Sequence, residues 1–353
     1  MVGVLFMSAL FSPVWTGGAL NYTLDFAKVW VVWILTFLAV TDFERLRRIL
    51  YIQSGSVAVI SVISIILGHG KTRLEGVIGG IYSNPNDLAF AIVLTLPFCL
   101  AFLLTAKRVL VRLCWTGAIL IMGLTLFMTA SRAGFIALVI SGTVCMWHFG
   151  VKGRRFYLIV ISVLATIVLL AVAGGPMVKR MAAISGKVDT REQVQAYESY
   201  EERRYLNSKA IEGIERYPIL GLGARNFQTY SGVWKDVHMT YLQIAVEGGI
   251  PSLILYLLFL ASGFRNLRKL RRRHDLNAQM VLFVGALHGS IVGFVIGALF
   301  APAAYQFFPY FTVAYTSALV AMIKVREPVS ESSLAGEAWR SRYAVAGQQK
   351  VSG

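Results

Sequence analysis

The sequence predicts an all-α polytopic membrane protein of about ten transmembrane helices, with one large helical loop outside the cytoplasm. Three observations support this fold class. Of 353 residues, 56% are hydrophobic and only 15% are charged, which is more apolar surface than a water-soluble core of this size can bury. Apolar runs long enough to cross a bilayer recur along the whole chain. The basic residues fall in short clusters between those runs.

We place the spans at the apolar runs in chain order and test them with the positive-inside rule. The predicted spans are 1–12, 26–42, 50–68, 87–105, 113–130, 134–150, 156–174, 238–263, 278–300 and 305–323. When these spans alternate in direction, five basic clusters fall on one side of the membrane: 45–48, 107–112, 152–155, 265–273 and 324–326. Because cytoplasmic loops collect Lys and Arg, both termini are predicted to be cytoplasmic.

Four regions follow from these spans. We expect N-terminal transmembrane helices over 1–174, an extracytoplasmic loop over 175–237, C-terminal transmembrane helices over 238–326 and a disordered cytoplasmic tail over 327–353. Within the loop, residues 191–216 predict an amphipathic helix with an apolar stripe: Leu206, Ala210, Ile214 and Tyr217. Pro218 and the glycines that follow it end this helix in a turn.

The composition also argues against several kinds of chemistry. The net charge of +16 would suit nucleic acid, but the charges lie between apolar runs instead of covering one face, so no nucleic-acid partner is predicted. The cysteines, Cys99, Cys114 and Cys145, lie in or beside apolar runs and are predicted to be small core side chains. The chain has no metal-ligand spacing outside the membrane and no phosphate-binding glycine motif. Metal-free chemistry without a cofactor is therefore predicted.

Arg132 lies in a very short turn on the predicted extracytoplasmic side. A positive charge at membrane depth on that side is costly and needs an explanation. Its guanidinium could snorkel to the surface and anchor the helical hairpin, or it could bind phosphate oxygens in a bidentate way. The sequence leaves both roles open.

Arg203 and Arg204 lie in the amphipathic helix, where helical periodicity separates them. Arg203 projects with Leu206 on the apolar stripe, whereas Arg204 points about 100° away. An arginine among apolar neighbours needs a counter-ion. That counter-ion is either a local carboxylate, Glu201 or Glu202, or an anionic ligand held beneath the helix.

His238 opens the span that follows the loop. Its ordinary pKa lies near neutrality, so it suits a general base, although an interfacial histidine can also be only a polar cap. Glu247, further into the same span, is a buried carboxylate and a weaker candidate for a supporting role. The other four histidines are predicted to be structural, and the Asn84-Pro-Asn-Asp87 segment is predicted to cap a helix through Asn86 or Asp87.

Four motifs occur in a fixed order along residues 80–260. They are Asn84-Pro-Asn-Asp-Leu-Ala89, Thr129-Ala-Ser-Arg-Ala-Gly134, Arg203 fifteen residues before Pro218-Ile-Leu-Gly-Leu-Gly223, and His238-Met-Thr-Tyr-Leu-Gln-Ile-Ala-Val-Glu-Gly-Gly-Ile250. Together they resemble the O-antigen ligase and polymerase family of bacterial envelope glycan enzymes. The resemblance implies a fold like that of the multi-span C-type (GT-C) glycosyltransferases. It also implies a place in the bacterial inner (plasma) membrane with the active site on the periplasmic side.

The resemblance further implies a reaction. The donor would be a glycan on undecaprenyl diphosphate, and the acceptor a hydroxyl of a glycan, of the lipid A core or of a protein. Arg132 and Arg203 would bind the diphosphate and stabilise it as leaving group, without a metal ion. His238 would take the proton from the acceptor hydroxyl as it attacks and inverts the anomeric carbon. The tryptophan expected four residues after the loop arginine is Asn207 here, or Ser208 if Arg204 is the match, so both arginines remain candidates.

A transporter or flippase for an anionic lipid-linked substrate is the alternative function. It would require ionisable groups near the middle of the bilayer and an internal repeat. The candidate residues instead gather at one predicted face, and no repeat is found.

Overall fold

The computed structural model describes residues 1–68, 73–76, 84–175 and 191–325. Every regular element in these ranges is helical. The elements are α1 Val2–Leu10, α2 Thr16–Ala39, α3 Phe43–Leu67, α4 Pro85–Thr105, α5 Val109–Met128, α6 Arg132–Cys145 with a π-helical continuation Met146–Val151, α7 Tyr157–Ala173, α8 Arg191–Arg216, α9 Phe227–Ser231, α10 Thr240–Arg271, α11 Ala278–Gly297 and α12 Phe308–Val325. The tail predicted over 327–353 lies outside the described residues, as does the first part of the loop, 176–190.

Seven of these helices are long and apolar enough to cross a membrane, namely α2 to α6, α10 and α11. Two more, α7 and α12, are shorter apolar helices. The prediction of an all-α polytopic membrane protein is therefore confirmed for the described residues. The first predicted span, 1–12, contains only the nine-residue helix α1. At about 1.5 Å per residue this helix covers less than half of a bilayer core, and it packs instead against α2 and α10.

Three helix boundaries differ by seven residues or more from those predicted. Helix α2 begins at Thr16 rather than at 26, because its first turns pack on α1 and bury Gly18 and Ala19. Helix α3 begins at Phe43 rather than at 50, since the Asp42 carboxylate accepts a hydrogen bond from the Arg45 amide at 2.9 Å and caps it. Helix α10 continues to Arg271, so most of the 265–273 cluster is helical rather than loop. Polar residues extend these helices beyond the apolar runs that marked them.

The centre of the bundle is formed by α4 and α11. Glycines at every fourth position let α11 approach its neighbours closely, as small residues do in membrane helices. A Cβ at Gly289 would lie 2.5 Å from Cys145 Sγ on α6, and one at Gly297 would lie 2.1 Å from the Phe90 ring on α4. The hydroxyl of Ser141 donates to the Gly289 carbonyl at 2.9 Å. Cys99 and Cys145 are buried as predicted, but Cys114 is exposed on α5.

Two of the basic clusters lie at the same end of the bundle. Arg47 Nη1, near the start of α3, donates to Gln279 Oε1 at the start of α11 over 3.4 Å. Gln279 is the second residue of α11, and the 265–273 cluster lies at the end of α10, just before the short link to α11. The two therefore lie at the same end of the bundle. The start of α10 at Thr240 therefore lies at the opposite end of the bundle.

The amphipathic helix α8 has the predicted bounds, and its apolar stripe is confirmed. Leu206 and Ala210 are fully buried, and Ile214 and Tyr217 pack beside them. The stripe forms a small core with Leu222, Phe227, Val237 and Val246. Helix α8 therefore rests on the first turns of α10.

The turn after α8 docks on a break in α10. Gly249 interrupts α10 with φ 75° and ψ 172°. The Gly223 amide donates to the Glu247 carbonyl at 2.9 Å, and the Ile250 amide donates to the Pro218 carbonyl at 2.8 Å. Backbone groups freed by the break are thus paired with the turn, as buried backbone groups require.

This docking needs glycine on both sides. A Cβ at Gly221 would lie 2.6 Å from the Gly249 nitrogen, and one at Gly249 would lie 2.1 Å from the Ile219 carbonyl oxygen. Both glycines also have positive φ, which L side chains rarely adopt. The contact fixes the end of α8 against α10, and with it the relative position of the candidate residues on each side.

Candidate active site

An open cleft of about 850 Å³ lies between α8, the start of α4 and the segment that leads into α10. Its lining is mostly polar. Charged and titratable side chains come from Arg73, Glu75, Asp87, Glu202, Arg203, Lys235, Asp236 and His238, and the remaining lining from Asn84, Pro85, Asn86, Ser199, Gln228, Trp234 and Pro302. Because the cleft includes the approach to α10, it lies at the end of the bundle away from the 265–273 cluster. Such a cleft suits a polar, charged substrate.

His238 is held at the cleft by the anchored start of α10, two residues further on. The Thr240 amide donates to the Ala298 carbonyl at 2.8 Å, and the Thr240 hydroxyl donates to the Ala301 carbonyl at 2.6 Å. The same hydroxyl accepts from the Ala303 amide at 3.0 Å. These bonds join the start of α10 to the link between α11 and α12, so the histidine has a fixed backbone position.

The segment that leads into α10 is also fixed by charged partners. Lys235 Nζ lies 2.5 Å from Glu202 Oε1 on α8. Asp236 accepts from Arg225 Nη1 at 2.7 Å and from Gln228 Nε2 at 2.9 Å. These contacts tie the segment to α8, to the turn before α9 and to α9 itself.

The structure separates the two adjacent arginines of α8. Arg203 is half-buried and lines the cleft together with His238. The Arg204 side chain is 74% exposed, and its Nη1 lies 4.0 Å from Glu201 Oε1. The placement predicted from helical periodicity is confirmed: Arg203 faces inward and Arg204 faces away.

The charges in the cleft act on His238. Burial is the largest cause and the positive charge of Arg203 the next, and together they lower the pKa of His238 to about 4. Lys235 acts in the same direction, whereas Glu202 and Asp236 act against it. The imidazole is therefore neutral at pH 7 and keeps a nitrogen lone pair that can accept a proton. An anion bound beside Arg203 would offset that charge and raise the pKa of the histidine.

The turn between α5 and α6 forms the corner next to the cleft. Arg73 Nε donates to the Thr129 carbonyl at 2.9 Å, and Arg73 Nη2 donates to Asn86 Oδ1 at 3.1 Å. The Ser131 hydroxyl donates to the same Asn86 oxygen at 2.9 Å and caps α6 by accepting from the Gly134 amide at 3.2 Å. Arg73 and Asn86, which line the cleft, are thus bonded to the turn that precedes Arg132.

Arg132 is the first residue of α6, directly after Ser131, and is not among the residues that line the cleft. Arg73 lines it, and sequence reasoning missed this residue. The sequence contained one signal that could have identified Arg73. It is a basic residue in the 69–86 loop, on the side of the membrane where the positive-inside rule disfavours basic residues. A role for Arg132 in binding diphosphate stays a prediction.

The predicted capping of α4 by Asn86 or Asp87 is wrong. Asn84 is the capping residue, and its side-chain oxygen accepts from the Asn86 amide at 2.9 Å. The reason is that α4 begins two residues earlier than expected, at Pro85, which suits the first helical position. Asn86 and Asp87 are consequently left with side chains that line the cleft.

Glu247 is fully buried in α10 and is not part of the cleft lining. Its Oε2 accepts from the Tyr305 hydroxyl at 2.5 Å. Its backbone carbonyl accepts from the Ser8 hydroxyl at 2.8 Å and from the Gly223 amide at 2.9 Å. Glu247 thus joins α1, the loop turn and the segment before α12 to α10, which gives it a structural position behind the site.

Acidic side chains such as those that line the cleft can ligate metal ions. Across residues 1–68, 73–76, 84–175 and 191–325, no group of three or more His, Cys, Asp and Glu side chains is placed to hold a metal ion. Independence of the reaction from metal ions remains a prediction.

Comparison with known proteins gives one family. The family model described as O-antigen ligase matches residues 117–257. No curated protein matches the chain. The matched segment runs from α5 into α10 and contains all five predicted site residues: Arg132, Arg203, Arg204, His238 and Glu247.

Proposed function

We propose that this chain, whose residues 117–257 match the O-antigen ligase family model, transfers a glycan from undecaprenyl diphosphate to an acceptor hydroxyl. The reaction takes place in the cleft that Arg203 and His238 line. The observation that carries the proposal is this pairing of an arginine and a neutral histidine in one polar cleft. The acceptor is a hydroxyl of a glycan, of the lipid A core or of a protein.

The diphosphate of the donor needs positive charge, both to bind and to leave. Arg203 supplies it inside the cleft, and a guanidinium can grip two phosphate oxygens at once. Helices α4 and α10 both begin at the cleft, and helix N-termini favour anions. Arg132 begins α6 beside the same corner, and we assign it the second contact to the diphosphate. Arg73 contributes a further positive charge to the cleft lining.

His238 is the proposed general base. The acceptor hydroxyl donates its proton to the neutral imidazole while its oxygen bonds to the anomeric carbon. The bond from that carbon to the phosphate oxygen breaks, and the electron pair leaves with the diphosphate, which Arg203 stabilises. Attack from the side opposite the leaving group inverts the anomeric centre. Because bound diphosphate offsets the charge of Arg203, the histidine becomes a stronger base when the donor is present.

The rim of the cleft is suited to a sugar. Trp234 is 82% exposed and lines the cleft, so its ring offers a flat apolar face to the C–H groups of a sugar ring. Side chains around it, including Glu202 and Gln228, can hydrogen-bond to sugar hydroxyls. An apolar face among a few polar groups is typical of sites that orient small molecules.

The position of the cleft suits a lipid-linked donor. It lies at the ends of membrane-crossing helices, so a polyprenyl chain can stay in the bilayer while the diphosphate and glycan enter the cleft. The basic cluster 265–273, which predicts the cytoplasmic side, lies at the other end of α10, and this supports a periplasmic position for the cleft. The transporter alternative required candidate groups at mid-membrane depth, and the family match favours the enzyme.

The test is reconstitution of the purified full chain with undecaprenyl-diphosphate glycan. We expect the donor to be consumed and a glycosylated product to form with one of three acceptor classes: a free glycan, lipid A core or protein. A donor that is bound but never consumed with any of the three would contradict a glycosyltransferase. Movement of intact donor across the bilayer of the vesicles would favour the transporter.

A further inference from the structure

A second cavity, of about 320 Å³, opens between α2, α10 and α12. Trp30 and Trp33 of α2, Phe259 of α10 and Tyr310 of α12 form its aromatic wall. Arg265 of α10 lies at its other side. Arg265 is twenty-five residues beyond Thr240, or about 38 Å along the helix, so the arginine side of this groove lies toward the end of the bundle opposite the cleft.

The groove is basic at one side. Arg265 is exposed, and no ion pair joins it to another residue in the described part of the chain. It is the first of six basic residues in 265–273. Of these, Arg273 pairs with Asp275 at 2.9 Å, on the loop beyond α10. The local potential at this side of the groove therefore favours a ligand with net negative charge.

Polar groups lie next to Arg265. Asn266 Nδ2 donates to Ser317 Oγ at 3.1 Å and to Thr316 Oγ1 at 3.3 Å, which joins α10 to α12. Asn266, Ser317 and Ser262 line the groove beside the arginine. The groove thus has a cationic, polar side and an aromatic side.

The aromatic side is preformed. Trp33 stacks on Phe37 with ring centroids 6.0 Å apart and lies 5.8 Å from the Trp30 ring. Trp30 is 44% exposed, so its ring faces outward from α2, where membrane-crossing helices meet lipid.

We propose that this groove binds an anionic glycerophospholipid. The phosphate lies at Arg265, and an acyl chain lies against Trp30 and Phe259. A zwitterionic lipid fits less well, because its second, cationic group would face the remaining positive charges of 268–273. Basic pockets between membrane helices bind anionic head groups in this way. The proposal is independent of the reaction in the cleft.

The first test compares lipid binding to the purified full chain by native mass spectrometry, with phosphatidylglycerol and phosphatidylcholine as probes. We expect a preference for phosphatidylglycerol, weakened about fivefold by Arg265→Gln. The matched control is Arg268→Gln, which removes the same charge one turn further along α10 but does not line the groove. Equal losses in the two variants, or no preference between the two lipids, would overturn the site.

The second test locates the lipid by fluorescence quenching in detergent with brominated phosphatidylglycerol. Trp30→Phe should remove much of the quenched signal, whereas Trp234→Phe, at the other end of the molecule, should leave it unchanged. Quenching that is the same for both variants would place the lipid elsewhere. Glycan transfer measured on the same samples separates a failure of this site from a failure of the proposed enzyme.

Discussion

Arg203 on α8 and His238 before α10 line the same cleft, and the positive charge of Arg203 helps to lower the pKa of His238 to about 4. The group proposed to bind the leaving diphosphate and the group proposed to accept the proton are therefore electrostatically linked. Donor binding at the arginine strengthens the histidine as a base. This link accounts for a neutral base in a site that has to attract an anion.

Removing the charge of Arg203 should weaken donor use. Arg203→Gln loses charge-assisted hydrogen bonds worth about 2 kcal/mol, so we expect kcat/KM for the donor to fall about 30-fold. Arg204→Gln is the matched control, because its side chain is 74% exposed and should matter less than about twofold. Steady-state kinetics with varied donor concentration measure both. The opposite ranking of the two variants would show that Arg204 is the functional arginine.

The pH dependence of turnover should report the link between the two residues. The acid limb of the kcat/KM profile reports the pKa of His238 in the free enzyme and should lie near pH 4. The acid limb of the kcat profile should lie at higher pH, because bound diphosphate offsets the positive charge of Arg203. Protonation below these values removes the base. In Arg203→Gln the pKa of His238 rises, since a positive neighbour is lost, so the limb of kcat/KM should move to higher pH. A shift to lower pH in this variant would contradict the assigned interaction.

The contact between the loop turn and α10 should be essential for stability. In Gly249→Ala the new Cβ meets the Ile219 carbonyl at 2.1 Å and φ is 75°, so the turn must move away from α10. Gly232→Ala is the control, because its φ is 72° but nothing lies within 4 Å of the new Cβ. We expect about 1 kcal/mol for the positive φ alone and several kcal/mol for Gly249→Ala. Thermal unfolding of the two purified variants tests this, and equal melting temperatures would refute the docking.

Trp234 should contribute to sugar binding. Trp234→Ala removes the exposed ring and is expected to raise KM for the sugar substrate about tenfold, whereas Trp234→Phe keeps an aromatic face and most of the affinity. Trp15→Ala serves as the control, since Trp15 is also exposed, at 59%, but does not line the cleft. If Trp234→Ala lowered membrane insertion but left KM unchanged, the ring would be a membrane anchor and not a sugar-binding surface.

Helical periodicity in the sequence was sufficient to predict helix α8 and the side on which Arg203 lies. The bounds of α8, its stripe at Leu206 and Ala210 and the inward position of Arg203 follow from 3.6 residues per turn, which holds whatever the helix packs against. The resemblance to a family with known motifs located His238 and the turn with Gly221, but it gave no physical reason for the glycines. That reason is the close approach of two backbones, which is a tertiary property.

Other features could not be predicted because they depend on contacts between distant segments. Arg73 reaches the Thr129 carbonyl across 56 positions of sequence, and no local pattern marks that contact. Helix α2 begins at Thr16 because α1 covers its first turns, although the residues there are not strongly apolar. The break at Gly249 lies within a predicted span, and no local pattern indicates it, because it depends on the contact with the turn after α8.

The most direct test of the account is single-turnover glycan transfer in the presence of EDTA with three proteins: the wild type, His238→Ala and His274→Ala. His274 is exposed at the other end of the bundle and serves as the control. We expect the wild type and His274→Ala to transfer glycan at the same rate, and His238→Ala to be slower by about 100-fold to 10,000-fold with unchanged donor binding. Full turnover by His238→Ala, or a strict requirement of the wild type for a divalent metal, would contradict it.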